Sequence, residues 1–114
     1  MNKLAQTVVE AIRDKKGKNI LALDLSLFDG AICDTFVICN ADSTTQVAAI
    51  AAGVEELVYK QLTEKVLRVE GLTNGIWVVM DYGDVMVHIF QTETRAFYRL
   101  EEMWADASSQ YFED

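Results

Sequence analysis

Few groups in this chain could do chemistry, and they are scattered. His88 is the single histidine of 114 residues. Asp84 shares its strand face but lies four positions away, about 13 Å at strand rise, too far for the pair to hold one ion. A metal site would need further Cys or carboxylate ligands at closer spacing. The other reading of His88 is an imidazole hydrogen-bonded at a sheet surface or interface. Asp81, Tyr82, Gly83 and Asp84 crowd one short stretch. Paired carboxylates there would suit acid–base work or Mg²⁺. Asp and Gly are equally what a tight turn requires, and contact with a partner is a third reading. Asp24 and Asp34 fall near strand ends, where carboxylates cap neighbouring turns. Cys33 and Cys39 are six positions apart, and if the apolar run between them is one strand they would stand about 20 Å from each other. A disulfide needs Cα atoms within about 7 Å, so both read as small buried thiols of a reducing compartment. No phosphate loop, GxGxxG or nucleophile elbow occurs, and no Cys–His pair has a third member. The step CNADSTTQ (39–46) lacks the Gly-Ser entry of a phosphoryl-transfer site. These parts assign no catalytic residue, no cofactor and no metal.

The elements that must position these residues follow from periodicity. Leu4, Val8, Val9 and Ile12 recur at helical spacing, predicting a helix over 2–15 capped by Asn2 and stopped at Gly17. Residues 20–25 and 35–39 read as strands around an Asp29-Gly30 turn. Val47, Ile50, Ala51, Val54, Leu57, Val58 and Leu62 step along one face, predicting a long helix over 43–62. Gly53 within it suggests close packing on a sheet. Strands are expected at 66–70, 76–82 and 84–91, the last two an antiparallel hairpin separated by Gly83. Thr92 reads as the N-cap of a final helix to about 107, with Phe97, Leu100, Met103 and Trp104 as its inward stripe. The order α-β-β-α-β-β-β-α gives an α/β (α+β) class, a mixed β-sheet flanked by helices. Residues 1–107 read as one domain and 108–114 as a loose acidic tail.

Along 84–91, Val85, Val87 and Ile89 should face helices. Asp84, Met86, His88 and Phe90 form the opposite face, expected to be partly wet and open to a partner. On the last helix, Arg95 and Tyr98 are expected on the outer side, and such residues are frequent interface anchors. Trp77 heads the strand leading to the acidic tip. Exposed Met86, Phe90 or Trp77 would equally serve a homodimer.

Composition narrows the partners. Lys plus Arg number 10 and Asp plus Glu 18, a formal charge of −8, and 51% of residues are hydrophobic. That balance opposes coating a nucleic acid, which rests on neutralising phosphates. It also opposes docking on an anionic membrane, and it favours a basic protein as partner. The charged, periodic start is not a signal peptide, and no run approaches the roughly 20 apolar residues of a membrane span. The expected location is cytoplasmic.

The run from Glu70 to Trp104 resembles the signature of the ribosomal silencing factor family, also called Iojap-like. The resemblance rests on Glu70-Gly71, Trp77, the Asp81-Tyr82-Gly83-Asp84 tip, Val87-His88, Arg95, Tyr98, Leu100-Glu101 and Trp104. It extends upstream, with Asp24, Asp34 and Ser43 at the family's places, and covers about residues 4–107. It implies a nucleotidyltransferase-like fold without that class's catalytic signature. It implies binding to the large ribosomal subunit through its basic ribosomal protein number fourteen, with little direct nucleic-acid contact. Joining of the small subunit would then be blocked and translation repressed when nutrients are short. Trp77, Asp81, Tyr82, Asp84, His88, Arg95 and Tyr98 are the expected partner-binding residues, with aromatic rings filling pockets and the carboxylates meeting Lys or Arg. Two alternatives stand beside it. One is a degenerate nucleotidyltransferase using Asp24, Asp34 and Mg²⁺; the other is a large-subunit assembly factor, the role implied for organellar relatives.

Overall fold

The computed structural model describes residues 1–113. The first helix, α1 (Lys3–Asp14), opens where the Asn2 side chain accepts the Ala5 N–H at 2.8 Å. It closes as Lys16 turns into the left-handed region at φ 64° and Gly17 donates to the Ile12 carbonyl at 2.9 Å. Two strands follow, β1 (Lys18–Asp24) and β2 (Thr35–Ala41). Next comes the long helix α2 (Thr44–Leu62), whose N-cap Ser43 accepts the Gln46 N–H at 3.1 Å. Strands β3 (Arg68–Glu70), β4 (Trp77–Asp81) and β5 (Val85–Gln91) come next. The chain ends with a short helix α3 (Thr92–Tyr98), a 3₁₀ turn (Leu100–Trp104) and strand β6 (Ser108–Phe112).

The six strands form one sheet in the order β3-β4-β5-β2-β1-β6. Only β2 and β5 pair in parallel; the other neighbours are antiparallel. Strand alternation divides the core in two. On the first face Ile20, Val37, Cys39, Val78, Met80, Val85, Val87 and Ile89 meet the apolar stripes of α1 and α2. On the second face Leu21, Leu23, Phe36, Ile38 and Phe90 are joined by Phe28, Leu100 and Trp104 from loops and the 3₁₀ turn.

Several expectations are corrected here. The residues expected as a loose tail include β6, which pairs with β1 from Ile20↔Phe112 to Asp24↔Ser108. An outermost β1 would leave a ladder unpaired. β6 covers it and is tied back to α1, where Arg13 Nε donates to the Glu113 carbonyl at 2.8 Å and the guanidinium lies over Phe112. Asp114, the last residue of that stretch, lies outside the described residues.

The single helix expected over 92–107 breaks at Arg99, which takes φ 50°. The break sends Leu100 and Trp104 into the second cluster but leaves Phe97 79% and Met103 74% exposed. Gln91, not Thr92, holds the cap position of α3. Gly53 serves helix packing rather than sheet packing, since a Cβ there would lie 2.7 Å from Lys15 Cγ at the end of α1. Cys33 precedes β2 instead of sharing its face with Cys39, and both thiols are free and buried.

Candidate partner-binding surface

The hairpin that carries most of the expected site residues turns on Gly83-Asp84. Tyr82 N–H donates to the Val85 carbonyl at 3.0 Å, and Gly83 takes φ 91°. A two-residue loop with glycine first is the turn that matches strand twist. The Asp81 carboxylate accepts the Gly83 N–H at 2.8 Å, so this side chain also holds the tip. The Asp84 carbonyl accepts from Asp34 N–H and Thr35 N–H at 3.0 and 3.1 Å, which anchors the tip to the start of β2. The Asp84 side chain itself stays exposed.

Alternation along β4 places Trp77, Val79 and Asp81 on the second face, while Val78 and Met80 enter the first core. Their cross-strand partners are Phe90, His88 and Met86. Trp77 stacks on Phe90 at 4.8 Å between ring centroids, and the Tyr98 ring of α3 lies 5.0 Å from Trp77 at a tilt of 44°. Gly71 is needed just before this row. It sits at φ 93°, and a Cβ would press on the Trp77 carbonyl group. Tyr98 is 52% exposed and Trp77 half-buried. Beyond them Arg68, Glu70, Val79, Asp81 and Met86 line a shallow depression. The outer part of the second face, along β3 and β4, is therefore open, apolar at its centre and charged at its rim.

His88 lies under this surface, not on it. It is 4% exposed, and its Nδ1 accepts the Trp77 Nε1–H at 3.1 Å. The indole is a donor only, so the imidazole is neutral with its proton on Nε2. Burial pushes its pKa down to about 4. The face expected to be wet is closed at this point, because Phe36 packs edge-on to His88 at 4.5 Å and Phe90 is fully buried. Phe90 is consequently no candidate for a dimer contact.

Two expected contact residues point elsewhere. Tyr82 is 7% exposed and belongs to the first core, where burial, with Glu55 and Glu64 nearby, pushes its hydroxyl up to about 12. Arg95, expected on the outer side of its helix, is 8% exposed. Its Nη1 donates to the Asn19 carbonyl at 2.6 Å and to Asn40 Oδ1 at 2.9 Å, and its Nε meets Glu101 at 3.1 Å. Asn40 and its partners went unrecognised as a unit in the sequence. Asn40 Nδ2 donates to Thr92 Oγ1, Thr92 donates to Asp42, and Asp42 pairs with Lys18. The signal was there in one form: an Asn closing the apolar run TFVIC has to find polar partners when buried.

Asp24 accepts the Ser26 N–H and O–H at 3.0 and 2.6 Å, which lowers its pKa and makes it the cap of a local turn. Among the described residues no group of three or more His, Cys, Asp or Glu could hold a metal ion. No helix among them is long and apolar enough to cross a membrane.

An aromatic and acidic sheet face thus stands open beside α3, which polar contacts tie to the sheet. The family model "Ribosomal silencing factor during starvation" matches residues 1–114. A ribosomal silencing factor of Halalkalibacterium halodurans is 40% identical over 104 residues, covering 91% of this chain and 87% of the relative. The Bacillus subtilis ribosomal silencing factor is 38% identical over 97 residues, covering 85% and 80%. A crystal structure of a Chromobacterium violaceum protein superposes with a TM-score of 0.85 at 32% identity, covering 92% of this chain and 88% of that one. This chain belongs to the ribosomal silencing factor family.

Proposed function

We propose that this protein binds the large ribosomal subunit through its ribosomal protein number fourteen, blocks joining of the small subunit and so represses translation in the cytoplasm. The observation that carries this reading is the open outer part of the second face. There Trp77 and Tyr98 lie in ring contact, with Asp81 four positions further along β4 on the same side and Asp84 at the exposed tip. Aromatic anchors with a charged rim are the usual composition of a protein interface. A steric blocker needs only a standard contact, about 800 Å² per partner. The net charge of −8 steers the protein towards a basic ribosomal protein and away from bare rRNA. No step of this role requires a catalytic group.

Trp77, Asp81, Asp84 and Tyr98 make the contact in this reading. Tyr82, His88 and Arg95 support it from behind. Asp84→Lys is the direct test, because the side chain is exposed while the backbone carbonyl does the anchoring. Binding to isolated large subunits at moderate salt should weaken about tenfold, in line with reversal of a rim charge. Unchanged binding would remove the hairpin tip from the interface.

A further inference from the structure

We infer that Arg95 is a positioning residue, which fixes the joint between α3 and the 3₁₀ turn and thereby holds the Tyr98 ring against Trp77. This rests on the reading of that aromatic pair as a contact surface. Tyr98 is the last residue of α3, and Arg99 follows in the left-handed region at φ 50°. A non-glycine residue keeps that backbone only when its surroundings impose it. Arg95 spans the break. Its backbone carbonyl accepts the Arg99 N–H at 2.9 Å, closing α3. Its side chain pairs with Glu101 on the far side of the joint, Nε to Oε1 at 3.1 Å. The same guanidinium is bolted to the sheet through the Asn19 carbonyl and Asn40 Oδ1.

Two further features show that the joint depends on this clip. Phe97 and Met103, on either side of the break, are 79% and 74% exposed, so they add little apolar burial to hold it. On the inner side, Leu100 and Trp104 reach the second cluster, and Trp104 meets Phe28 at 5.5 Å and Phe36 at 6.0 Å. Those contacts fix the 3₁₀ turn. Apart from the Tyr98–Trp77 ring contact that the joint positions, the ties of α3 to the sheet named here are polar: Arg95, and Thr92 through Asn40 and Asp42. A guanidinium offers donors in a rigid fork, so one Arg can bind a carbonyl, an amide and a carboxylate at once; an ammonium in its place cannot reproduce that geometry.

The test is Arg95→Lys in a Trp104→Phe background, where Trp77 is the single indole. Two readouts are taken. The first is Trp77 emission and its quenching by iodide, with no ribosome present; the second is binding to isolated large subunits. Arg95→Lys should raise the iodide quenching constant about twofold, shift emission to the red and weaken subunit binding about tenfold, with the far-ultraviolet circular dichroism retained. Weaker binding with Trp77 emission unchanged would make Arg95 a direct contact and overturn the inference, as would no change in either readout. Should Arg95→Lys fail to fold, Glu101→Gln, which keeps an acceptor but removes the charge, decides on the same two readouts, with the shift expected in the same direction and unchanged emission again overturning the inference. If the parent protein does not bind large subunits at all, the proposed function fails, while the fluorescence arm still judges Arg95.

Discussion

The two faces of the sheet are built by different rules. The first is a layer of aliphatic side chains under two regular helices, and Ile12, Val37, Ile50, Val54, Val87 and Ile89 on it are fully buried. The second is a patchwork of a loop, a seven-residue helix and a 3₁₀ turn, held by aromatic contacts and by hydrogen bonds of Asn40 and Arg95. Its inner half is closed, while its outer half leaves Trp77 and Tyr98 accessible. Nonspecific apolar burial carries stability and tolerates no gaps. Directional polar and aromatic contacts add less stability but set the orientation of exposed groups. Under the proposed function, stability falls to the first face and recognition to the second.

That assignment can be broken by substitution on either side. The largest effect is expected at Ile50→Ala on the first face, a loss of about 2–5 kcal/mol by chemical denaturation, since a fully buried branched side chain leaves a cavity. A loss below 1 kcal/mol would show that the first face is not the main source of stability.

The next effect is on pH. His88 is held down to about 4 from an ordinary value of 6.5. The unfolded chain therefore binds the extra proton between those values, and stability falls as pH drops from about 6.5 to about 4. The lost contribution is about 3 kcal/mol, and it changes no further below that window. Denaturation series across pH on the parent and on His88→Gln should show the steeper slope in the parent. Equal slopes would mean that the imidazole is not buried neutral beneath Trp77.

Ser43→Ala removes the cap of α2 and should cost about 1 kcal/mol, read by thermal unfolding. Phe97→Ala should change stability by less than about 0.5 kcal/mol, as for other exposed positions. A larger loss there would place Phe97 in the fold and shrink the surface left for a partner.

Much of the first face was legible from the sequence, because its signals are local. Asn2 and Ser43 cap helices whose apolar residues recur at three and four, and Val85, Val87 and Ile89 alternate as a half-buried strand must. The second face was not, because what shapes it is nonlocal. Beside the break at Arg99, the Arg95 side chain is held by Asn19 and Asn40, 76 and 55 positions away. Periodicity over 92–107 carries no trace of these contacts. The same holds for Ser108–Phe112, whose strand character depends on the free edge of β1. Trp77, Asp81 and Tyr98 were legible as surface candidates. Arg95 and Tyr82 were misplaced because residue type indicates what a side chain can contact and not on which side of the sheet it lies.

In the proposed function, the open part of the second face keeps the ribosomal subunits apart. Purified large and small subunits are mixed at joining concentrations of Mg²⁺, with the parent protein or with Trp77→Ala/Tyr98→Ala, and resolved on a density gradient. The parent should co-sediment with the large subunit and deplete the joined ribosome, and the double variant, folded by circular dichroism, should restore it. Joined ribosomes undiminished by the parent, or depleted equally by the double variant, would rule out that role for the open face.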